Sequence, residues 1–430
     1  MERIERKTYL KRLIDSIDNG MVKVITGLRR SGKSYLLNIL FYEYLVNDLQ
    51  VKESHIIRFS FDNPADLSLL GENFISLKRE RRKADPAKFF DYVSKLTRGE
   101  GHYFVLLDEV QELEAFEYVL NGLLEKGNLD IYITGSNAKF LSRDIITEFR
   151  GRGYEIHVYP LSFSECASFY DKDAKKALDK YLVYGGLPMV VLAKSDEDRV
   201  SYLETQLKST YLSDIIERYN IRNEEGLQEL LLFLASSTSC LVNPKKLAAR
   251  FASLGQASLS EASIAKYIDY FAEAFLLRKA LRFDIKGSKY LSTPYKVYFE
   301  DLGIRNALLS FRQHEVTHLM ENAIFNELLR QGYKVDVGQV EVREESGGVE
   351  KRKYLETDFV ANMGDARFYI QSVYSLESSD KKEAELKSLK NIKDGFKKVV
   401  ILANNLADGY DEKGVYYLDL NRFLLNEKNL

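Results

Sequence analysis

The chain has 430 residues, a formal net charge of −2, and 45% hydrophobic and 29% charged residues. That length has room for roughly two to four ordinary domains, the composition is that of a globular protein, and the near-zero charge excludes a chain-wide polyanion binder, leaving nucleic-acid contact to a local patch. Cys166 and Cys240 lack metal-ligand spacing and read as reduced structural thiols of a cytoplasmic protein, while a charged N-terminus without an apolar core and an apolar run (227–235) too short to span a bilayer exclude a secretory signal and a membrane helix.

Residues 4–17 are predicted as an amphipathic helix with Tyr9, Leu10, Leu13 and Ile17 on one side. The cations Arg3, Arg6, Lys7, Lys11 and Arg12 read as its solvated face, with a phosphate contact as the alternative. Val22 to Thr26 (VKVIT) is a short buried strand, and it runs straight into Gly27-Leu28-Arg29-Arg30-Ser31-Gly32-Lys33-Ser34. This stretch fits G-x-x-x-x-G-K-[ST], the phosphate-binding loop. Its glycines let backbone N–H groups close around phosphate oxygens. Lys33 is positioned to reach the β- and γ-phosphates of ATP, and the Ser34 hydroxyl to hold Mg²⁺. Residues 35–45 are predicted as a helix, starting at Tyr35, whose N-terminal end faces the phosphates. The expected nucleotide-binding set is therefore Gly27 to Tyr35, with the N-terminal helix packed beside it.

A second strand is predicted at 55–61 and is closed by Asp62-Asn63-Pro64. The basic run 78–83 (KRERRK) reads as a solvated helix face, with nucleic-acid contact as the minor alternative. Residues 103–109 (YFVLLDE) form an apolar run that ends in two carboxylates. Asp108 is assigned to the Mg²⁺ shell and Glu109 to polarising the attacking water. Gln111 is expected to touch the nucleotide or a neighbouring loop. A strand at 130–134 leads into Gly135-Ser136-Asn137. Ser136 is the first candidate for sensing the γ-phosphate and Asn137 the second, an ordinary turn being the alternative. Arg152, then Arg150, is the candidate for supplying positive charge to a γ-phosphate, in cis or across a subunit interface, against plain surface charge. With a strand at 154–159, five strands alternate with helices, the pattern of a parallel α/β sheet. In such sheets an extra strand separates the loop strand from the one bearing the catalytic glutamate.

Residues 161–222 turn helical and are broken at 184–188 (YGGLP), a candidate lid. Helices are predicted at 227–236, at 244–251 (opened by Asn243 and Pro244) and at 260–277, followed by a hairpin of 276–283 and 289–299. That is the winged-helix order, whose third helix commonly enters the DNA major groove. The basic residues, Lys245, Lys246, Arg250, Lys266, Arg278, Lys279 and Arg282, suit protein docking as well as DNA. The final segment is mixed, with helices at 318–332 and 380–391 and strands at 335–344, 357–364, 366–374 and 398–402. Residues 344–353 read as a polar hairpin tip or mobile loop.

The motifs GLRRSGKS, LLDEVQ, ITGSN, RGRG, YGGLP, VYFEDLGIRNAL and HLMENAIFNEL occur in that order along nearly the whole chain. In this it resembles the bacterial AAA-like P-loop ATPases that carry a C-terminal domain of unknown function. The resemblance implies an AAA-type α/β core at 1–160, a helical lid at 161–222, a winged helix at 223–300 and a restriction-endonuclease-like α/β domain at 301–430. It also implies ATP and Mg²⁺ as ligands. The expected function is ATP hydrolysis that drives a conformational switch on a protein or nucleic-acid partner. The alternative is a DNA-binding regulatory module in which nucleotide only sets conformation. A finger role for Arg152 in trans would require a homo-oligomer. No membrane partner is expected. In the restriction-endonuclease-like fold the metal site needs an acidic residue on one strand and D/E-x-K on the next, with a helical Glu before them. Glu321 and Asp358 fit, but Gln371 and Val373 stand where the second carboxylate and the lysine belong, although Lys381 or Lys382 could reach the site. The domain is therefore expected to hold a partner without cutting it.

Overall fold

The computed structural model describes residues 3–80, 82–135, 149, 151–253, 259–346, 349–376, 379–403, 408–427 and 430. It divides into two compact units, Met1–Tyr159 and Pro160–Leu430.

The first unit is built on β1 (Val22–Thr26), β2 (Ile56–Ser60), β3 (Tyr103–Asp108), β4 (Leu129–Thr134) and β5 (Gly153–His157). All pairings are parallel and the order is β2-β3-β4-β1-β5. The strand β4 thus lies between the loop strand and the DE strand, as predicted. The central strands are buried on both faces, which is why they read as continuous apolar runs. On one face Val24, Phe59, Val105, Leu107 and Ile133 pack with Phe89 and Val93 of the helix Pro86–Leu96 and Leu120 of the helix Phe116–Leu124. On the other, the Phe41 ring lies 4.5 Å from that of Tyr132.

The N-terminal helix is Lys7–Asp15. Lys7 and Lys11 sit at the surface, ion-paired to Glu5 and Asp15, as a solvated face should. Arg6 departs from that expectation. It is buried, its Nη2 donates to the Tyr159 carbonyl at 2.5 Å, and its guanidinium stacks 4.5 Å from the Tyr9 ring centre. A left-handed backbone at Arg6 (φ 48°) turns the side chain inward just before the helix starts.

In the second unit the helices Phe163–Tyr170, Ala174–Tyr184, Pro188–Val191, Asp196–Gln206 and Ser213–Tyr219 come first. The helix Glu224–Ser236, the strand β6 (Leu241–Val242), the helices Pro244–Ser253 and Glu261–Glu273, and the hairpin β7 (Leu277–Asp284) and β8 (Lys289–Phe299) follow. Next come the helices Leu302–Leu308 and Val316–Arg330, then β9 (Lys334–Ser346), β10 (Val349–Met363) and β11 (Ala366–Val373). The helix Ser379–Lys390, β12 (Lys397–Leu402), β13 (Gly409–Tyr410), β14 (Val415–Asp419) and the helix Leu420–Leu424 complete it. All these strands form one nine-stranded sheet, ordered β13-β14-β12-β11-β10-β9-β7-β8-β6. Parallel pairing of Arg282, Phe283 and Asp284 with Val337, Gly338 and Gln339 joins the β7–β8 hairpin to the rest. Residues 344–353 were expected as a polar hairpin tip or mobile loop. The described residues on either side, 344–346 and 349–353, continue the antiparallel β9–β10 hairpin, pairing Glu344 with Lys351 and Ser346 with Val349.

Two of the motifs meet in a buried junction of this unit. The carboxylate of Asp301 accepts from the N–H of Gly186 (2.7 Å) and of Ile304 (3.0 Å), and burial pushes its pKa up to about 6. The Asn306 amide donates to the carbonyls of Leu182 and Val183 at 2.9 and 2.8 Å. A Cβ on Gly186 would stand 2.1 Å from the Leu161 oxygen, and one on Gly303 2.1 Å from that of Tyr184, so both positions need glycine for close backbone approach. Asn322 likewise pairs with both backbone groups of Phe299, accepting at 2.9 Å and donating at 2.8 Å, which closes the end of β8. YGGLP, EDLGIRN and the asparagine of HLMEN therefore build the second unit rather than a reaction centre.

Candidate nucleotide site

Parallel pairing brings the C-terminal ends of β1, β4 and β3 to one rim of the sheet, with Ile25 beside Thr134 and Leu107 beside Ile133. The loop after β1 and the carboxylates after β3 are thus neighbours across β4. Gly27 is required there. Its φ is +134°, and a Cβ would stand 2.2 Å from the carbonyl oxygen of Val158. Gly32, at φ +98°, turns the chain into the helical turn Lys33–Tyr35, which no side chain caps, so its first amides face the loop. That turn continues as π-helical turns at Leu36–Phe41 and Tyr44–Asp48.

The Lys33 ammonium is folded over the loop, donating to the carbonyls of Gly27 (2.9 Å) and Leu28 (3.0 Å). Ser31 is fully buried and its hydroxyl has no partner among the described residues, a donor in place for an anion. Leu28 is buried, whereas Arg30 and Tyr35 are exposed and Arg29 is half-buried. The Ser34 hydroxyl donates to Asp108 Oδ1 at 3.0 Å. Hydroxyl and carboxylate are the hard oxygen ligands that Mg²⁺ prefers, alongside phosphate oxygens and water.

Two further residues hold Asp108, and neither was singled out from sequence. Thr134, the last residue of β4, donates from its hydroxyl to Asp108 Oδ1 and accepts from the Glu109 N–H at 3.3 Å. Asn38 Nδ2 donates to Asp108 Oδ2 at 3.4 Å. Asn38 lies one helical turn after Ser34, a spacing that could have flagged it. Thr134 could have been found from its strand-end position beside Ser136. Glu109 has a left-handed backbone (φ 52°, ψ 46°) that ends β3, and its carboxylate accepts from Gln111 Nε2. Gln111 therefore meets Glu109 rather than a neighbouring loop.

Ser136, Asn137 and Arg150 lie outside the described residues. Arg152 is exposed and precedes β5, and its carbonyl accepts from the N–H of Val22 at 2.8 Å. It sits at the start of β1, whereas the phosphate loop follows the end of that strand, a separation of roughly 15 Å along the strand. Arg152 thus stands at the opposite end of β1 from the phosphate loop.

The second unit holds another ionisable cluster. Lys296 of β8 is buried and its ammonium contacts Glu321 (2.9 Å), Glu356 (2.7 Å) and Asp358 (3.8 Å). Tyr298 OH donates to Glu321 at 2.7 Å and the Ser372 N–H to Asp358 at 2.8 Å. Burial, then the Glu321 carboxylate, raises the Asp358 pKa well above the usual range. Burial opposes the charge on Lys296, but its three carboxylate neighbours outweigh it and raise its pKa. Gln371 is buried with Ser388 as its partner, and Val373 lies in the apolar core. Elsewhere, the Tyr219 ring stacks on Tyr270 of the helix Glu261–Glu273 with centroids 3.6 Å apart, and its OH donates to Glu273.

An AAA domain family matches residues 19–167, and a domain of unknown function (DUF8612) matches residues 175–315. An uncharacterized protein of Haemophilus influenzae is 34% identical over 405 residues, covering 93% of each chain. The Methanocaldococcus jannaschii protein MJ1544 is 28% identical over 389 residues, 87% of this chain and 79% of that one. Among solved structures, the Walker-type ATPase paby2304 of Pyrococcus abyssi aligns at 16% identity and a TM-score of 0.47, covering 71% of this chain and 96% of that one. Among the described residues no helix is long and apolar enough to cross a membrane.

Proposed function

The chain belongs to the family of AAA-domain P-loop ATPases that it shares with its Haemophilus influenzae relative, and from that premise we propose that it binds ATP with Mg²⁺ and hydrolyses it to drive a conformational switch on a protein partner. The observation that carries this reading is the Ser34 hydroxyl 3.0 Å from the Asp108 carboxylate, beside the loop that Lys33 covers. Lys33 binds the β- and γ-phosphates, Ser34 and Asp108 hold the metal shell, and Thr134 and Asn38 orient Asp108. Mg²⁺, when bound, neutralises charge on the phosphate oxygens. Glu109 takes a proton from water as the water oxygen bonds to the γ-phosphorus. The bond to the β,γ-bridging oxygen breaks, and its electron pair leaves with ADP. Ser136 is proposed as the γ-phosphate sensor on sequence grounds, and Arg152 as a group acting on a neighbouring copy.

Phosphate release from ATP, with and without Mg²⁺, tests the reading. Wild-type protein should turn over ATP only with the metal, and Lys33→Ala should lose at least about 100-fold through loss of transition-state charge stabilisation. Equal rates in the two proteins would sink the proposal.

The alternative, a DNA-binding module, draws support from the order of helices, β6 and the β7–β8 hairpin, which is that of a winged helix. The third of those helices, however, exposes Glu261 and Asp269 beside Lys266, and Tyr219 covers its Tyr270. Those charges favour a protein partner over a polyanion. We also propose that the C-terminal sheet does not cut nucleic acid. Gln371 offers no negative charge to a metal, and the lysine found among the carboxylates, Lys296, is already ion-paired to all three of them. Plasmid, linear and single-stranded DNA, and RNA, should survive incubation with the protein in Mg²⁺ or Mn²⁺, with or without ATP. Cleavage that vanishes in Asp358→Ala would refute this.

A further inference from the structure

We propose that Gln111 is a positioning residue for Glu109: its side-chain amide holds one carboxylate oxygen and so sets the orientation in which the carboxylate meets the attacking water. The inference rests on the ATPase reading above and concerns a residue that touches neither phosphate nor metal.

Three observations support it. First, Gln111 Nε2 donates to Glu109 Oε2, and the opposite amide orientation would set a carbonyl against a carboxylate. Second, Gln111 Oε1 is buried and has no partner among the described residues. A buried acceptor without a donor is costly, and a methionine would fill the same space without it. The amide is therefore present for its N–H, and that N–H is used on Glu109. Third, the turn that aims it stands without any ligand. Glu109 is left-handed, the 3₁₀ turn Val110–Glu112 follows, and the Glu112 N–H donates to the Glu109 carbonyl at 3.0 Å. Leu113 bridges to Ala84, and Lys78 pairs with Glu112 at 2.7 Å. Residue 111 is thus pinned from outside, and its side chain points back over the base two positions earlier.

The test is a double-mutant cycle on ATP turnover. In Gln111→Met, kcat should fall about tenfold, the part of a general base's contribution that depends on its orientation, while KM for ATP and the melting temperature stay at wild-type values. Gln111→Glu, of the same size and able to fill the same polar site, should fall at least as far, since it adds a like charge and removes the donor. In single-turnover measurements on Glu109→Gln, adding Gln111→Met should change nothing further, because the residue acts only through Glu109. An unchanged kcat in both single variants, or losses that add fully in the double variant, would overturn the inference and leave the ATPase reading intact. No turnover in the wild type would overturn both.

Discussion

Glu109→Gln is expected to abolish ATP turnover while leaving ATP bound. The substitution keeps the shape of the side chain and removes the oxygen that takes the proton, which costs about 10²- to 10⁴-fold in rate for a general base. The cradle is held through other groups. Lys33 is held by the carbonyls of Gly27 and Leu28, and Ser34, Asn38 and Thr134 all bond to the Asp108 carboxylate. The backbone N–H of residue 109 still reaches Thr134, because that bond does not use the side chain. Phosphate release and equilibrium binding of ATP, measured on one preparation, separate the two effects: turnover should fall to background and the dissociation constant should stay within about twofold. A variant that still turns over at a third of the wild-type rate would remove Glu109 from the role of base. The same variant is suited to capturing a partner with ATP bound.

Lys296→Met is expected to destabilise the second unit strongly. The ammonium is the one cation placed among the carboxylates of Glu321, Glu356 and Asp358 in the described residues, and removing one partner from a buried charge cluster costs about 3–5 kcal/mol. Methionine fills the volume, so the loss reports charge rather than a cavity. The effect should depend on pH. In the wild type the Lys296 pKa is raised, so its stabilising contribution is complete below the unfolded value and is lost only on rising through the higher folded value, far into alkali. Asp358 is also raised, so the folded state keeps its proton longer than the unfolded chain, and stability falls as pH rises from about 4 through the neutral range. Without Lys296 that fall continues to higher pH, since one of the influences lowering the Asp358 pKa is gone. Urea denaturation should show a difference between wild type and variant that is larger above about pH 8 than near pH 4. A difference of the same size at every pH would show that Lys296 stabilises by packing and not by charge.

The nucleotide site was legible to the extent that it is local. Gly27 to Ser34 and Asp108-Glu109 are contiguous stretches whose residue types follow from phosphate and metal chemistry, and the apolar runs before them could only be buried strands. The support around Asp108 was not legible. Thr134 read as the end of a strand and Asn38 as a helix residue, because their partner lies 26 and 70 positions away and nothing nearby marks the meeting. Arg6 read as surface charge because helical periodicity places it among exposed cations. A left-handed residue before the helix turned it inward onto the Tyr159 carbonyl 153 positions later. Arg152 was left open between cis and trans because its end of the sheet depends on the parallel pairing of β5 with β1.

From sequence alone came the five strands of the first unit in chain order, its parallel α/β class, the phosphate loop and the paired carboxylates. Each is written in short-range spacing: period, turn residues and functional side chains within one strand–loop–helix stretch. Tertiary structure alone decided which loops share a rim, which end of the sheet Arg152 occupies, and that the β7–β8 hairpin and the C-terminal strands form one sheet. It also decided that Lys296 sits among carboxylates contributed by a later helix and strand. Those outcomes depend on pairing between segments far apart in the chain, where the favourable term is burial and backbone hydrogen bonding summed over the whole sheet, and no local pattern specifies which strand becomes the neighbour of which.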